Sequence, residues 1–104
     1  MKIRIINISP AFLNKTDKKF KLIEEMLEKK INRIQNKIDT CYEEIDLLNQ
    51  FIDGYGNDIE LTKYMNKLYY EIMKYEHYKI NSNKTMKKIK KKKKRFEIIK
   101  FICE

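Results

Sequence analysis

The chain has 104 residues, 38% of them charged, with 24 Lys/Arg against 15 Asp/Glu and a formal net charge of +9. That length supports one small domain and no large catalytic cavity. Two glycines, one proline and no tryptophan exclude a turn-rich all-β fold and favour a few long helices.

The charge is unevenly placed. Lys84 to Lys100 holds ten Lys/Arg and a single acid, Glu97, whereas the rest of the chain carries 14 of each sign. The whole excess therefore belongs to the stretch from Lys84 to Lys100, within the C-terminal segment, residues 81–104. Cys41 and Cys103 supply neither a disulfide framework nor a four-ligand metal set. No run reaches the ~20 apolar residues of a membrane span. Met1 to Leu13 lacks the clean apolar core of a secretory signal, despite Lys2 and Arg4. The expected setting is reducing and cytoplasmic.

Residues 1–14 read as an N-terminal arm. Ile3, Ile5 and Ile8 form a β-branched run stopped by Pro10, but one strand cannot satisfy its own backbone groups. It either pairs with another chain or stays an arm, and the arm is the reading adopted. Asn14, Thr16 or Asp17 can cap the helix that follows, which is expected from about Asp17 to Asp53. Its apolar residues are Leu27, Ile31, Ile34, Ile38, Cys41, Ile45, Leu48 and Ile52, stepping alternately by four and three. That is the ~3.5-residue repeat of a two-stranded helical seam, and no strand would show it. Phe20 and Ile23 extend the same face.

Gly54-Tyr55-Gly56-Asn57 is the chain's one cluster of turn residues. Asp58 is a good cap for a second helix, with Glu60 adding negative charge to its first turn. Leu61, Met65, Leu68, Ile72 and Tyr75 repeat the four-three spacing, so the two helices are expected as antiparallel neighbours over residues 15–80. Pairing Ile52 with Leu61 sets Leu48 against Met65, Ile45 against Leu68, Cys41 against Ile72 and Ile38 against Tyr75. Beyond that the ladder puts Ile34 against Lys79 and Ile31 against Ser82, and the apolar match fails. Asn81-Ser82-Asn83 is also a poor helix interior, so helix 2 is expected to end or fray there. Leu27, Ile31 and Ile34 would then need a third helical segment carrying Met86, Ile89, Phe96, Ile99 and Ile102, or a second copy in a four-helix bundle; the homodimer is favoured. The expected fold is all-α: an antiparallel two-helix, coiled-coil-like hairpin, with room for a third, basic C-terminal helix.

Lys87, Lys88, Lys90, Lys91, Lys92, Lys93, Lys94 and Arg95 form the strongest compositional signal. Such a run contacts nucleic-acid phosphates or an anionic membrane surface, weakens with salt and reads no base sequence. It also fits a nuclear import signal or a solvated tail. Ile98, Ile99, Phe101 and Ile102 follow it, as in segments that lie on lipid. Six of the seven tyrosines fall between Tyr55 and Tyr78. Tyr64, Tyr69, Tyr70, Tyr75 and Tyr78 cover more than one face of helix 2, where they can flank the core, enrich an interface or stack on bases. His77, the only histidine, has no cysteine or serine partner in view and reads as structural or solvated. There is no glycine-rich phosphate loop, paired-cysteine pattern or nucleophile elbow. No catalytic residue, metal ligand or cofactor is therefore assigned.

Residues 58–75, from Asp58 to Tyr75, resemble the second helix of the stage-zero sporulation protein E-like aspartyl-phosphate phosphatases. These are small antiparallel hairpins with a glycine-containing turn and an acidic cap. Their Ser-Gln-Glu-Leu-Asp signature falls on Met65-Asn66-Lys67-Leu68-Tyr69, with Ile72 and Tyr75 in the downstream Ile and Tyr positions. Only the leucine matches within the signature, and Tyr69 stands where the family has the aspartate on which dephosphorylation is thought to depend. The resemblance, over about Ile38 to Tyr78, implies binding to a phosphorylated response regulator, and Tyr69 puts catalysis in doubt. The resulting expectation is a small interaction or regulatory module, its partner face made by Tyr64, Met65, Leu68, Tyr69, Ile72 and Tyr75. The alternative is a nucleic-acid-associated protein, seated for example on ribosomal RNA through Lys87 to Arg95.

Overall fold

Where Ser9 and Pro10 meet, the chain turns into its first helix. In the computed structural model, which describes residues 9–56 and 58–103, α1 spans Pro10–Tyr55 and α2 spans Ile59–Cys103. Ser9 is extended (φ −62°, ψ 139°), and its hydroxyl accepts the Phe12 amide at 3.2 Å. Pro10, at the first helical position, has no amide to leave unpaired. This cap forestalls the later candidates Asn14, Thr16 and Asp17, and α1 starts seven residues before the expected Asp17. The strand-or-arm question for Ile3, Ile5 and Ile8 lies outside the described residues.

α1 ends at Gly56, whose amide donates to the Ile52 carbonyl at 2.8 Å. Its φ of +92° is costly for a residue with a Cβ. Asp58 then caps α2: its carboxylate accepts the Glu60 amide at 2.8 Å, and its carbonyl takes the Thr62 amide at 3.0 Å. The turn reverses the chain, and the two helices lie side by side as an antiparallel hairpin. Its dimensions are 75 × 26 × 14 Å and its radius of gyration is 23.0 Å, against about 13 Å for a compact domain of this size.

The core is the expected seam. Ile34, Ile38, Cys41, Ile45, Leu68 and Ile72 form one buried cluster, with Leu48, Met65 and Tyr75 packed against it. The correction lies beyond Tyr75. α2 does not end or fray at Asn81-Ser82-Asn83, and residues 81–103 continue it rather than forming a third helix. Ser82 is buried, and its small side chain fits the crowded seam. Thr85 returns its hydroxyl to the Asn81 carbonyl at 3.1 Å. Half-buried Lys79 stays at its seam position by sending its ammonium to the Gln35 side-chain oxygen at 2.5 Å.

Past Ser82 the four-three spacing resumes as Met86, Ile89, Lys93, Phe96 and Lys100, and α1 carries it through Leu27, Glu24, Phe20, Asp17 and Leu13. Leu13, Met86 and Phe96 are buried, and the Phe20 and Phe96 rings sit 5.6 Å apart. Leu27, Ile31 and Ile34 thus lie along the intrachain seam, Ile34 buried and Leu27 and Ile31 half-buried. The charged members pair across the seam: Lys93 with Glu24 at 3.5 Å, and Lys100 with Asp17. Asp17 and Glu24 are seven residues apart, as are Lys93 and Lys100, so each acid meets its lysine only in this antiparallel register.

Candidate functional site

The hairpin has two electrostatic ends. Residues 31–83, the half next to the turn, hold six Lys/Arg and nine acids; residues 10–30 and 84–103, the distal half, hold sixteen and five. The Lys87–Arg95 run lies wholly on α2 in the distal half. Its Lys93 turns to the seam and pairs with Glu24. Lys87, Lys88, Lys90, Lys91, Lys92, Lys94 and Arg95 are exposed and form no ion pair among the described residues. Because the helix turns every 3.6 residues, these seven cations wrap all of α2 except its seam stripe. Lys87 with Lys91, Lys88 with Lys92, Lys90 with Lys94 and Lys91 with Arg95 are like charges four residues apart, each pair unfavourable by about 0.2–0.5 kcal/mol. A bound polyanion would relieve that repulsion.

Of the six residues expected as a partner face, Leu68 and Ile72 are buried in the seam, and Met65 and Tyr75 pack against it. Tyr64 and Tyr69 remain at the surface, 46% and 45% exposed. Tyr64 donates its hydroxyl to the Glu44 carboxylate across the helices at 3.1 Å, and that bond raises its pKa above the ordinary tyrosine value. Tyr70 and Met73 are more open, each 71% exposed. His77 meets the Asn81 side-chain amide at 3.3 Å. Burial, with Glu71 and Glu44 nearby, raises the Cys41 thiol, keeping it protonated and unreactive at neutral pH.

A feature absent from the sequence reading is a groove of about 580 Å³ between the helices, on one flank of the seam. Its α1 wall presents Lys30, Arg33 and Lys37, its α2 wall Tyr75, Tyr78, Asn81 and Thr85, and Ile34 and Ser82 form its floor. Among the described residues no carboxylate lines it. Lys37 stands over the Tyr75 ring at 5.5 Å, and the Tyr75 and Tyr78 rings meet edge-on at 6.5 Å. Towards the turn it continues into a second depression that shares Lys37 and Tyr75, and there Glu44 and Glu71 appear. Tyr78, Thr85 and Lys92 are seven apart, as are Lys30 and Lys37, so each wall can be read as one helix edge, but the cleft between them cannot.

Among the described residues no group of three His, Cys, Asp or Glu side chains could hold a metal ion, and no helix is long and apolar enough to cross a membrane. Comparison with protein-family models, curated proteins and solved structures finds no match to this chain.

Proposed function

We propose that the protein is a binding module that holds a phosphate-rich polyanion, a nucleic-acid backbone, against the distal end of its hairpin. The observation carrying this reading is the set of seven exposed cations, with no acidic partner among the described residues, wrapped around α2 between Lys87 and Arg95. A rigid helix presents them at fixed spacing, so several phosphates are engaged at once and their counterions are released together. Point charges on phosphates give affinity without base specificity. The part of the hairpin nearest the turn, residues 38–76, holds nine acids against three lysines and is disfavoured as a nucleic-acid surface, which gives the module a direction.

The test is binding of generic RNA across a salt series. Affinity should fall steeply with salt, and replacing Lys88, Lys91 and Lys94 by Glu should flatten the slope and cost at least tenfold at low salt. Polyphosphate should also raise the thermal midpoint of the wild-type hairpin through linkage, and that of the triple variant much less. A salt-independent affinity, or full binding by the triple variant, would sink the reading. Vesicles rich in anionic lipid provide the comparison arm, because Ile98 and Phe101, 60% and 80% exposed, border the same cations.

A protein-docking reading, with a response regulator as its named candidate, is favoured by one observation. Tyr69, Tyr70 and Met73 leave a large apolar area open on the outside of α2. Leu68 and Ile72 could take part only if the hairpin opened, so this docking rests on Tyr64 and Tyr69 among the expected residues. Tyr69 offers no carboxylate, and the reading carries no phosphatase step. Replacing Tyr69 and Tyr70 by Ser should abolish capture of a purified response regulator while leaving RNA binding intact.

A further inference from the structure

We infer that the polyanion is single-stranded nucleic acid, laid in the groove between the helices with its phosphates on α1 and its bases on α2. The inference rests on the polyanion reading and narrows it. The two walls differ in chemistry: Lys30, Arg33 and Lys37 supply cations from one side, and Tyr75 and Tyr78 supply ring surface from the other. A duplex buries its base faces and is too broad for a cleft between two packed helices. A single strand exposes both features, phosphates on one edge and unstacked bases on the other. Tyr78 is 43% exposed, and Lys74 lies over its ring at 5.9 Å, so a base stacking on that face would displace the lysine.

The site also has a direction. Tyr78, Thr85 and Lys92 follow one edge of α2 for roughly 21 Å at 1.5 Å per residue, leading from the groove into the lysine run. At the other end Glu44 and Glu71 repel an anion. The strand therefore enters from the distal end and stops near Tyr75. Contacts in the groove are made beside Ile34 and Ser82, where the hairpin is tightly packed and the platform is rigid.

The experiment measures fluorescence anisotropy of the full chain with three probes: a labelled single-stranded oligoribonucleotide, the same sequence as a duplex, and inorganic polyphosphate. Tyr78→Ala and Arg33→Glu should each weaken the single strand about tenfold, in line with the loss of one stacked base or one groove cation. Tyr78→Ala should leave duplex and polyphosphate within twofold, whereas Arg33→Glu, which reverses a phosphate-binding charge, should spare only the duplex. Tyr78→Phe, which keeps the ring, should bind like wild type, and circular dichroism confirms that each variant stays helical. Equal effects on all three probes, no effect on the single strand, or a wild-type preference for duplex would overturn the inference. The Lys88, Lys91 and Lys94 variant tests the parent reading separately, because it should weaken all three probes together.

Discussion

The two halves of the rod use one geometry for different ends. Near the turn every seam position from Ile34 to Ile45 is apolar, and six of these and the facing residues form one buried cluster. In the distal half the same four-three positions alternate between apolar residues and charges: Leu13, Phe20, Met86 and Phe96 share the seam with Asp17, Glu24, Lys93 and Lys100. The period, not uniform greasiness, keeps two helices in contact over this length. Apolar burial in the first half supplies most of the stability. The ion pairs of the second half fix which residues face each other, because a slipped helix would leave charges unpaired against apolar surface.

The sharpest way to break this comparison is a cavity in each half. Ile38 is only 1% exposed and sits at the middle of the apolar cluster. Ile38→Ala should cost about 2–4 kcal/mol, the usual result for a fully enclosed aliphatic side chain. Leu13→Ala, near the open end of the hairpin and outside the main cluster, should cost less than half of that. Urea denaturation followed by circular dichroism measures both, and equal costs would erase the division of labour. Cys41 reports the same opening. With Cys103 replaced by Ser, thiol labelling should be slow in the wild-type background and much faster with Ile38→Ala, because burial, the first cause of its raised pKa, is then lost.

A smaller effect sharpens the distal side. The Lys93 and Glu24 side chains are 33% and 20% exposed, so water screens their attraction, and Lys93→Glu should cost about 0.5–1 kcal/mol rather than the value of an enclosed pair. Combining it with Glu24→Lys should restore most of the loss. A double-mutant cycle with a coupling near zero would show that the seam charges do not hold the register.

These residues also show where a linear reading stops. The apolar spacing of Leu27 to Ile52 and Leu61 to Tyr75 made the hairpin, its turn and its register legible, since period and turn chemistry are local. Lys79 and Ser82 stopped the ladder because they were judged as side-chain types. In three dimensions a lysine can bury its stem and send its ammonium to Gln35, and a serine is small enough for the seam. Asp17, Glu24, Lys93 and Lys100 carry no apolar signal for the seam: each becomes a seam residue only once its partner from the other end of the chain is placed beside it. The Lys87–Arg95 run was visible as composition. The groove was not, because its walls come from residues about forty positions apart, and only the antiparallel register brings Arg33 and Tyr78 to one cleft.

The least of the expected effects separates seam contacts from edge contacts in the turn-proximal half. Tyr64 bonds to Glu44 outside the seam, at the surface, and its pKa is raised first by that hydrogen bond and then by the Glu44 charge. A raised folded-state pKa means that the contact supports folding below the ordinary tyrosine range and is lost as pH climbs through the folded value. Tyr64→Phe should therefore leave the neutral-pH melting curve almost unchanged. In a near-ultraviolet absorbance titration it should remove one late-ionising phenol of the seven. A large neutral-pH destabilisation would mean that edge contacts rival the Ile38 cluster, and the contrast between the two halves would have to be redrawn around polar bonds.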